Sequence, residues 1–260
     1  MEAPRLYVDA AGSGSAVVLG NGLGGSARNW RPQLRALRPA HRAVAFDARG
    51  HARSDAPRTP GAYSLSQLVG DLARVIEEQP GGPAVIGGLS LGAGVALALA
   101  LDQPERVKAL ALAAYPGTSG FVSISEPFAA AIERDGLDVA GARYVWGPES
   151  GLDAEAARFV RMGFLEHAPH AIAGILRECL PAIPAPAALG PQLSEFVQPV
   201  LLLVGARDVN SLSACRELAA AFPNARLEII PEAGHVVNLA QPQRFNALLL
   251  EFLDAIDAAG

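Results

Sequence analysis

Long apolar runs are missing from this 260-residue chain. The longest, Val95 to Leu101, is far short of the roughly 20 residues that span a bilayer, so no membrane span is expected. Cysteine is scarce as well: Cys179 and Cys215 lie in helix-like segments, show no metal or redox spacing, and read as small buried side chains. Runs of like charge are absent too. The net charge of -5 is spread over a chain in which charged residues make up 18%, which argues against a nucleic-acid partner. No Gly-Lys-Ser/Thr ending and no clean Gly-x-Gly-x-x-Gly opens a helix, so nucleotide binding is disfavoured. The stretch Met1-Glu2-Ala3-Pro4-Arg5 carries no apolar segment of a signal peptide, and the expected location is the cytoplasm.

What is present is apolar residue, 50% of the chain. A chain of this length buries roughly 70 to 75% of its unfolded surface, which suits one α/β domain with an insertion. Short strand-like runs (Tyr7-Val8, Ala16 to Leu19, Ala43 to Phe46, Ala84 to Gly87, Ala109 to Ala113) alternate with helix-like stretches. The first helix carries Trp30, Leu34 and Leu37, and the second opens after Ser64 with Leu65, Leu68, Leu72, Val75 and Ile76. Strands apolar on both faces, separated by helices, call for a mostly parallel, doubly wound sheet covered on both sides. From Tyr115 to about Val197 the alternation stops. Helix-like stretches around 126–135, 152–165 and 169–180 end in the proline-rich Pro181 to Pro191, and this is read as an inserted helical cap. The predicted organisation is therefore core over 1–114, cap over 115–197 and core again over 198–260. That last part holds the strands Val200 to Val204 and Leu227 to Ile229 and a final helix with Phe245, Leu248, Leu249, Phe252, Leu253 and Ile256 at 3.6-residue spacing.

The chemistry centres on Gly88-Leu89-Ser90-Leu91-Gly92. Gly-x-Ser-x-Gly arises by chance in a chain with 27 glycines, but here it stands between a strand pattern and a helix pattern, the setting of a nucleophile elbow. The sharp turn needs small residues on either side of the serine, and the helix that follows aims its free N–H groups at the hydroxyl. Leu91 N–H is thus a candidate oxyanion donor. Asp208, in Gly205-Ala206-Arg207-Asp208, and His235, after Gly234, each lie just past a predicted strand, as Ser90 does. In a parallel sheet those strand ends share one edge, so His235 is expected to act as the base and Asp208 as the residue that fixes its tautomer. Glu232 and Asp55 are weaker substitutes for the acid. The cluster Asp47 to Asp55 reads as a structural loop, and His41, His51, His167 and His170 as solvated or packing residues.

Four motifs, taken together, resemble the capped, single-domain type of α/β-hydrolase from about Ala16 onward. They are Asn21-Gly22-Leu23-Gly24, Asp47-Ala48-Arg49-Gly50-His51-Ala52-Arg53-Ser54, the serine pentapeptide, and Gly205 to Asp208 with Gly234-His235. The resemblance implies that the second oxyanion N–H belongs to Leu23. The chain departs from the family pattern at Asn21, where many members have histidine, and at Ala52, where glycine is usual. Asn-x-Leu-Gly is similar to the pattern of 3-oxoadipate enol-lactonases.

The expected activity is hydrolysis of an ester or lactone of a small, largely apolar molecule through an acyl-enzyme on Ser90, with no cofactor and no metal. A cofactor-free haloperoxidase or perhydrolase, and a ligand-binding protein on a hydrolase scaffold, are the alternatives. Asn21, Phe128, Trp146, Phe164 and Val236 are candidate pocket residues, with Tyr144 and Phe159 as further aromatics, although aromatics at helical spacing commonly form the core of a cap. Arg134, Arg143, Arg158 and Arg161 are candidates for meeting a substrate carboxylate.

Overall fold

Alternating runs of β-branched and small residues fold into strands that feed helices on both sides. A computed structural model describes residues 3–116, 118–147 and 154–259. In chain order the elements are β1 (Val8–Ala11), β2 (Ala16–Gly20), α1 (Arg31–Leu37), β3 (Arg42–Phe46), α2 (Leu65–Glu77), β4 (Ala84–Leu89), α3 (Leu91–Asp102) and β5 (Val107–Ala113). The helices α4 (Thr118–Tyr144), α5 (Ala154–Phe164), α6 (Pro169–Glu178) and α7 (Gly190–Glu195) follow. The chain closes with β6 (Val200–Gly205), α8 (Val209–Ala221), β7 (Ala225–Ile230), α9 (Val237–Ala240) and α10 (Pro242–Ala259). The strands make one seven-stranded sheet in the order β1-β3-β2-β4-β5-β6-β7. β1 runs antiparallel to β3, and every other pairing is parallel.

Alternation along each strand divides the core into two layers. Val18, Val44, Ile86, Leu110, Leu112, Leu202 and Val204 join the layer beneath α2, α3 and α8. Val17, Leu19, Val85, Leu201 and Leu203 face the layer that α1 and α10 cover. The expected stripe on α10, Phe245 to Ile256, is buried throughout, each such side chain contributing roughly 2 kcal/mol of apolar burial. α3 is apolar all round because both its faces are covered, and it leaves the sheet next to β4, flanked by β2 and β5.

Between β5 and β6 the described residues form helices only. α4 begins earlier than the sequence pattern predicts and continues through Pro127. The proline forgoes one helical hydrogen bond, but Phe128, Ala129, Ala131 and Ile132 are buried on the same face and hold the helix together. Gly136, at φ 81° and ψ 169°, breaks it into two rods. Residues 152 and 153 of the next predicted helix lie outside the described residues. The proline-rich stretch holds two short 3-10 turns, Leu180–Ala182 and Pro186–Leu189. Among the described residues no single helix is long and apolar enough to cross a membrane.

Candidate active site

Ser90 sits at the junction of β4 and α3 with φ 53° and ψ -112°, a strained backbone that a non-glycine residue adopts only when its surroundings enforce it. Two hydrogen bonds enforce it: Ser90 N–H donates to the Ala113 carbonyl at 2.9 Å, and the Ser90 carbonyl accepts from Gly94 N–H at 2.9 Å. The flanking glycines are required by close approach. A Cβ on Gly88 would stand 2.6 Å from the Gly20 oxygen, and one on Gly92 would stand 2.4 Å from the same atom. Leu91 is the first residue of α3, so its N–H has no partner within the helix.

The loop after β2 packs against this turn. A Cβ on Gly22 would meet the Leu89 oxygen at 3.3 Å and Ser90 Cβ at 3.6 Å. The Gly22 carbonyl accepts from Gly25 N–H at 2.9 Å and from Asn21 Nδ2 at 2.9 Å. In a trans peptide the next N–H points the opposite way, so these bonds fix the direction of Leu23 N–H. Asn21 also donates to the Gly25 carbonyl at 3.1 Å and accepts from Ala48 N–H at 3.1 Å. Its amide is engaged inside the loop and braces the backbone.

Asp208 and His235 meet as the sequence suggests. His235 Nδ1 donates to Asp208 Oδ2 at 2.7 Å, which leaves Nε2 as the acceptor. Burial pushes the Asp208 carboxyl upward, but the bonds from His235 and Ser211 outweigh it and hold the group below the usual carboxylate range. The two loops are tied together by Arg207 N–H to the Ala233 carbonyl and Ala206 N–H to the Ile230 carbonyl, both 2.9 Å. Ser211 escaped sequence reading. Its N–H donates to Asp208 Oδ1 at 3.3 Å, and its hydroxyl lies 3.4 Å from His235 Nδ1. The signal was present, because Asp208 caps α8 and Ser211 stands three residues on, where a capping aspartate finds its donor. The substitutes for Asp208 are elsewhere: Asp55 pairs with Arg5, and Glu232 is exposed.

The cluster after β3 is structural, as expected. Asp47 accepts from Ala27 N–H at 2.7 Å and from Arg53 Nε at 2.8 Å, and Arg49 forks onto Asp71. His51 is fully buried, and burial, then His167 nearby, pushes its pKa down to about 3. His167, expected to be solvated or packing, has a definite bond: its Nδ1 accepts from Ala52 N–H at 2.8 Å.

The aromatic residues of the insertion largely pack on one another. Phe128 stacks on Tyr144 at 4.7 Å and on Phe164 at 6.1 Å, while Trp146 meets Phe164 edge-on at 5.5 Å. Phe128 and Phe164 are buried in the packing of the insertion, Trp146 and Val236 are half-buried, and Phe159 is half exposed on the outer surface. The arginines are not gathered at a site either. Arg134 pairs with Asp135 and Arg161 with Asp138 on the surface, Arg143 lies over Tyr144, and Arg158 is exposed. Among the described residues no group of three or more His, Cys, Asp or Glu is placed to hold a metal ion.

A parallel sheet whose carboxyl edge carries a strained serine and an aspartate-histidine pair defines an alpha/beta hydrolase, and the chain belongs to that family, whose model matches residues 17–248. Among proteins it resembles, "Putative 2-succinyl-6-hydroxy-2,4-cyclohexadiene-1-carboxylate synthase" of Bacillus subtilis is 30% identical over 254 residues, covering 93% of this chain and 91% of the relative. "Putative carbamate hydrolase RutD" of Enterobacter cloacae is 32% identical over 256 residues, 92% of this chain and 91% of the relative. The crystal structure of the enol-lactonase from Burkholderia xenovorans LB400 is 26% identical with a TM-score of 0.83, covering 96% of this chain and 97% of that one.

Proposed function

We propose that the protein is a serine hydrolase that cleaves an ester or lactone of a small, largely apolar substrate through an acyl-enzyme on Ser90. The observation that carries this reading is the 2.7 Å bond from His235 Nδ1 to Asp208, made on the sheet edge where the strained Ser90 turns. Ser90 Oγ attacks the carbonyl carbon while its proton passes to His235 Nε2. The oxyanion is held by Leu23 and Leu91 N–H groups. The bond to the leaving oxygen then breaks, that oxygen takes the proton from His235, and in a lactone it stays tethered to the acyl group. Water, deprotonated by His235, attacks the acyl carbon and releases the acid and free Ser90. Asp208 keeps Nε2 available and stabilises the imidazolium. Each oxyanion donor is worth about 3 to 4 kcal/mol of barrier. No step calls on a cofactor.

The insertion over 115–197 acts as the cap. Supporting this, the Phe164 ring occupies the space beside Gly24, where a Cβ would come within 2.3 Å of it. The pairing of Arg134 and Arg161 with aspartates favours an uncharged, apolar acyl group over a carboxylate held by these arginines. The likeness to a lactonase and a carbamate hydrolase sets the assay: p-nitrophenyl esters, aliphatic lactones and aryl carbamates, offered to the native protein and to Ser90→Ala. Ester or lactone turnover that Ser90→Ala loses by about 10⁴-fold or more is expected; unchanged turnover in that variant refutes the nucleophile.

A further inference from the structure

Two buried histidines grip the loop that carries Leu23, one from the core and one from the insertion. Gly24 N–H donates to His51 Nε2 at 3.2 Å, and His51 Nδ1 donates to the Arg49 carbonyl at 3.2 Å. The peptide plane after Leu23 is thereby fixed, as the plane before it is fixed by Asn21 and Gly25. His51 is in turn seated by His167, whose ring stands edge-on at 5.0 Å and 67°. His167 Nδ1 accepts from Ala52 N–H, and Ala52 has a left-handed φ of 39°. The departure from glycine at this position is therefore held in place by a bond from the insertion.

Neighbours of His167 reach the same loop. Phe164 fills the space beside Gly24, and Glu166 forms an ion pair with Arg28, in the short helix that follows the loop. The bond to Ala52 sets the His167 tautomer, placing the proton on Nε2. That nitrogen is buried beside the Gly24 backbone. A hydrocarbon ring would fill the same space but offer Ala52 N–H no acceptor.

We propose that His167 is a positioning residue for the oxyanion hole: through Ala52, His51 and Gly24 it makes the aim of Leu23 N–H depend on the seating of the helical insertion. This rests on the reading of Leu23 as an oxyanion donor. A substrate that lifts the insertion would weaken transition-state binding even with the Ser90, His235 and Asp208 side chains undisturbed. The insertion would then select substrates by rate as well as by fit.

The test compares His167→Phe, which keeps a ring but loses the acceptor, with His167→Asn, whose Oδ1 stands the same number of bonds from the backbone as the Nδ1 that accepts from Ala52. Each is titrated with paraoxon so that rates refer to competent sites, then assayed with p-nitrophenyl butyrate and with an aryl trifluoromethyl ketone, which mimics the tetrahedral oxyanion. His167→Phe is expected to lower kcat by about tenfold or more and to weaken the ketone by the same factor, with KM within about twofold; His167→Asn is expected to recover most of both. If His167→Phe does not fold, His167→Leu, which has no acceptor to offer Ala52, is judged by the same criteria. Values of kcat and ketone affinity within twofold of the native protein, or a loss confined to KM, overturn the proposal. Failure of the underlying reading looks different: Ser90→Ala retains turnover, or the ketone does not inhibit the native protein.

Discussion

Acid should destabilise this protein well above the pH at which carboxylates titrate, and His51 sets the size of the effect. Its pKa lies at about 3 in the folded chain against 6.5 in the unfolded one, because complete burial penalises the charged ring. A histidine held neutral contributes stability that is fully present above pH 6.5 and is lost as pH falls toward 3. Between pH 7.5 and 5.0 the unfolded chain takes up nearly a full proton at this site and the folded chain almost none, so about 2 kcal/mol disappears. His167 is also lowered by burial and adds in the same direction. Asp208, held below the carboxylate range, contributes stability that is lost only as pH falls below about 4, outside this window. The comparison is with His51→Gln, which can still accept from Gly24 and donate to Arg49 but cannot titrate. Urea unfolding of both proteins at pH 7.5, 6.0 and 5.0 should show His51→Gln less stable at pH 7.5 by about 1 kcal/mol. Its deficit should vanish or reverse by pH 5.0, a relative midpoint movement of roughly 0.7 M. Parallel curves across that range would refute the assignment of a neutral, buried His51.

Asp208→Asn should leave the melting temperature within a few degrees and lower kcat about 10⁴-fold, since an amide allows the His235 tautomer that blocks Nε2; steady-state assay of the purified variant decides it. Gly92→Ala places a methyl group 2.4 Å from the Gly20 oxygen and 2.6 Å from its carbonyl carbon, both backbone atoms that cannot swing aside. A loss above roughly 3 kcal/mol or no soluble protein is expected, while Gly70→Ala, with nothing within 4 Å of the new atom, should gain about 0.5 to 1 kcal/mol in the same thermal-shift experiment. Glu232→Gly relieves a left-handed φ of 60° at an exposed position and should stabilise by about 0.5 to 1 kcal/mol. Full activity in that variant is also expected, and its loss would reopen the choice between Glu232 and Asp208 as the acid.

What could be read before folding was whatever a short window of residues determines. The short continuous apolar runs of β2 to β6, the elbow between β4 and α3, and the stripe of α10 each declare themselves within about a dozen residues, and the parallel order follows from their alternation with helices. The Asp208–His235 pair was inferable because a parallel sheet forces strand ends to one edge. The insertion was less legible. The pattern predicts a helix only around 126–135, but the buried Phe128–Ile132 face carries α4 through Pro127. Aromatic spacing cannot tell a pocket lining from a packed stack, and Phe128 and Phe164 belong to the stack. The bonds of Asn21 and His167 were not legible for a related reason: their partners, Ala48 and Ala52, are backbone groups 27 and 115 residues away, and no side-chain pattern marks where a backbone N–H will stand.

Backbone strain marks the same edge independently of any motif. Among the described residues the non-glycine positions with left-handed φ are Ala52 (39°), Ser90 (53°), Ala114 (47°) and Glu232 (60°). They follow β3, β4, β5 and β7, all at the carboxyl end of the sheet. Each costs about 1 to 2 kcal/mol, and three of them are held by identifiable bonds. Ser90 is pinned by Ala113 and Gly94, Ala114 N–H donates to the Leu203 carbonyl at 2.8 Å, and Ala52 N–H is taken by His167. Glycine would relieve the turn at position 90 but carries no hydroxyl, so strain there is the condition for presenting a hydroxyl at the tip of the turn. The strain at Ala114 follows from the first, since the carbonyl of Ala113 must face Ser90 N–H while the next N–H turns to β6. The edge is therefore a set of conformations that neighbouring strands impose on one another, and the sheet register, more than any single side chain, fixes where Ser90 stands relative to the loops bearing Leu23 and His235.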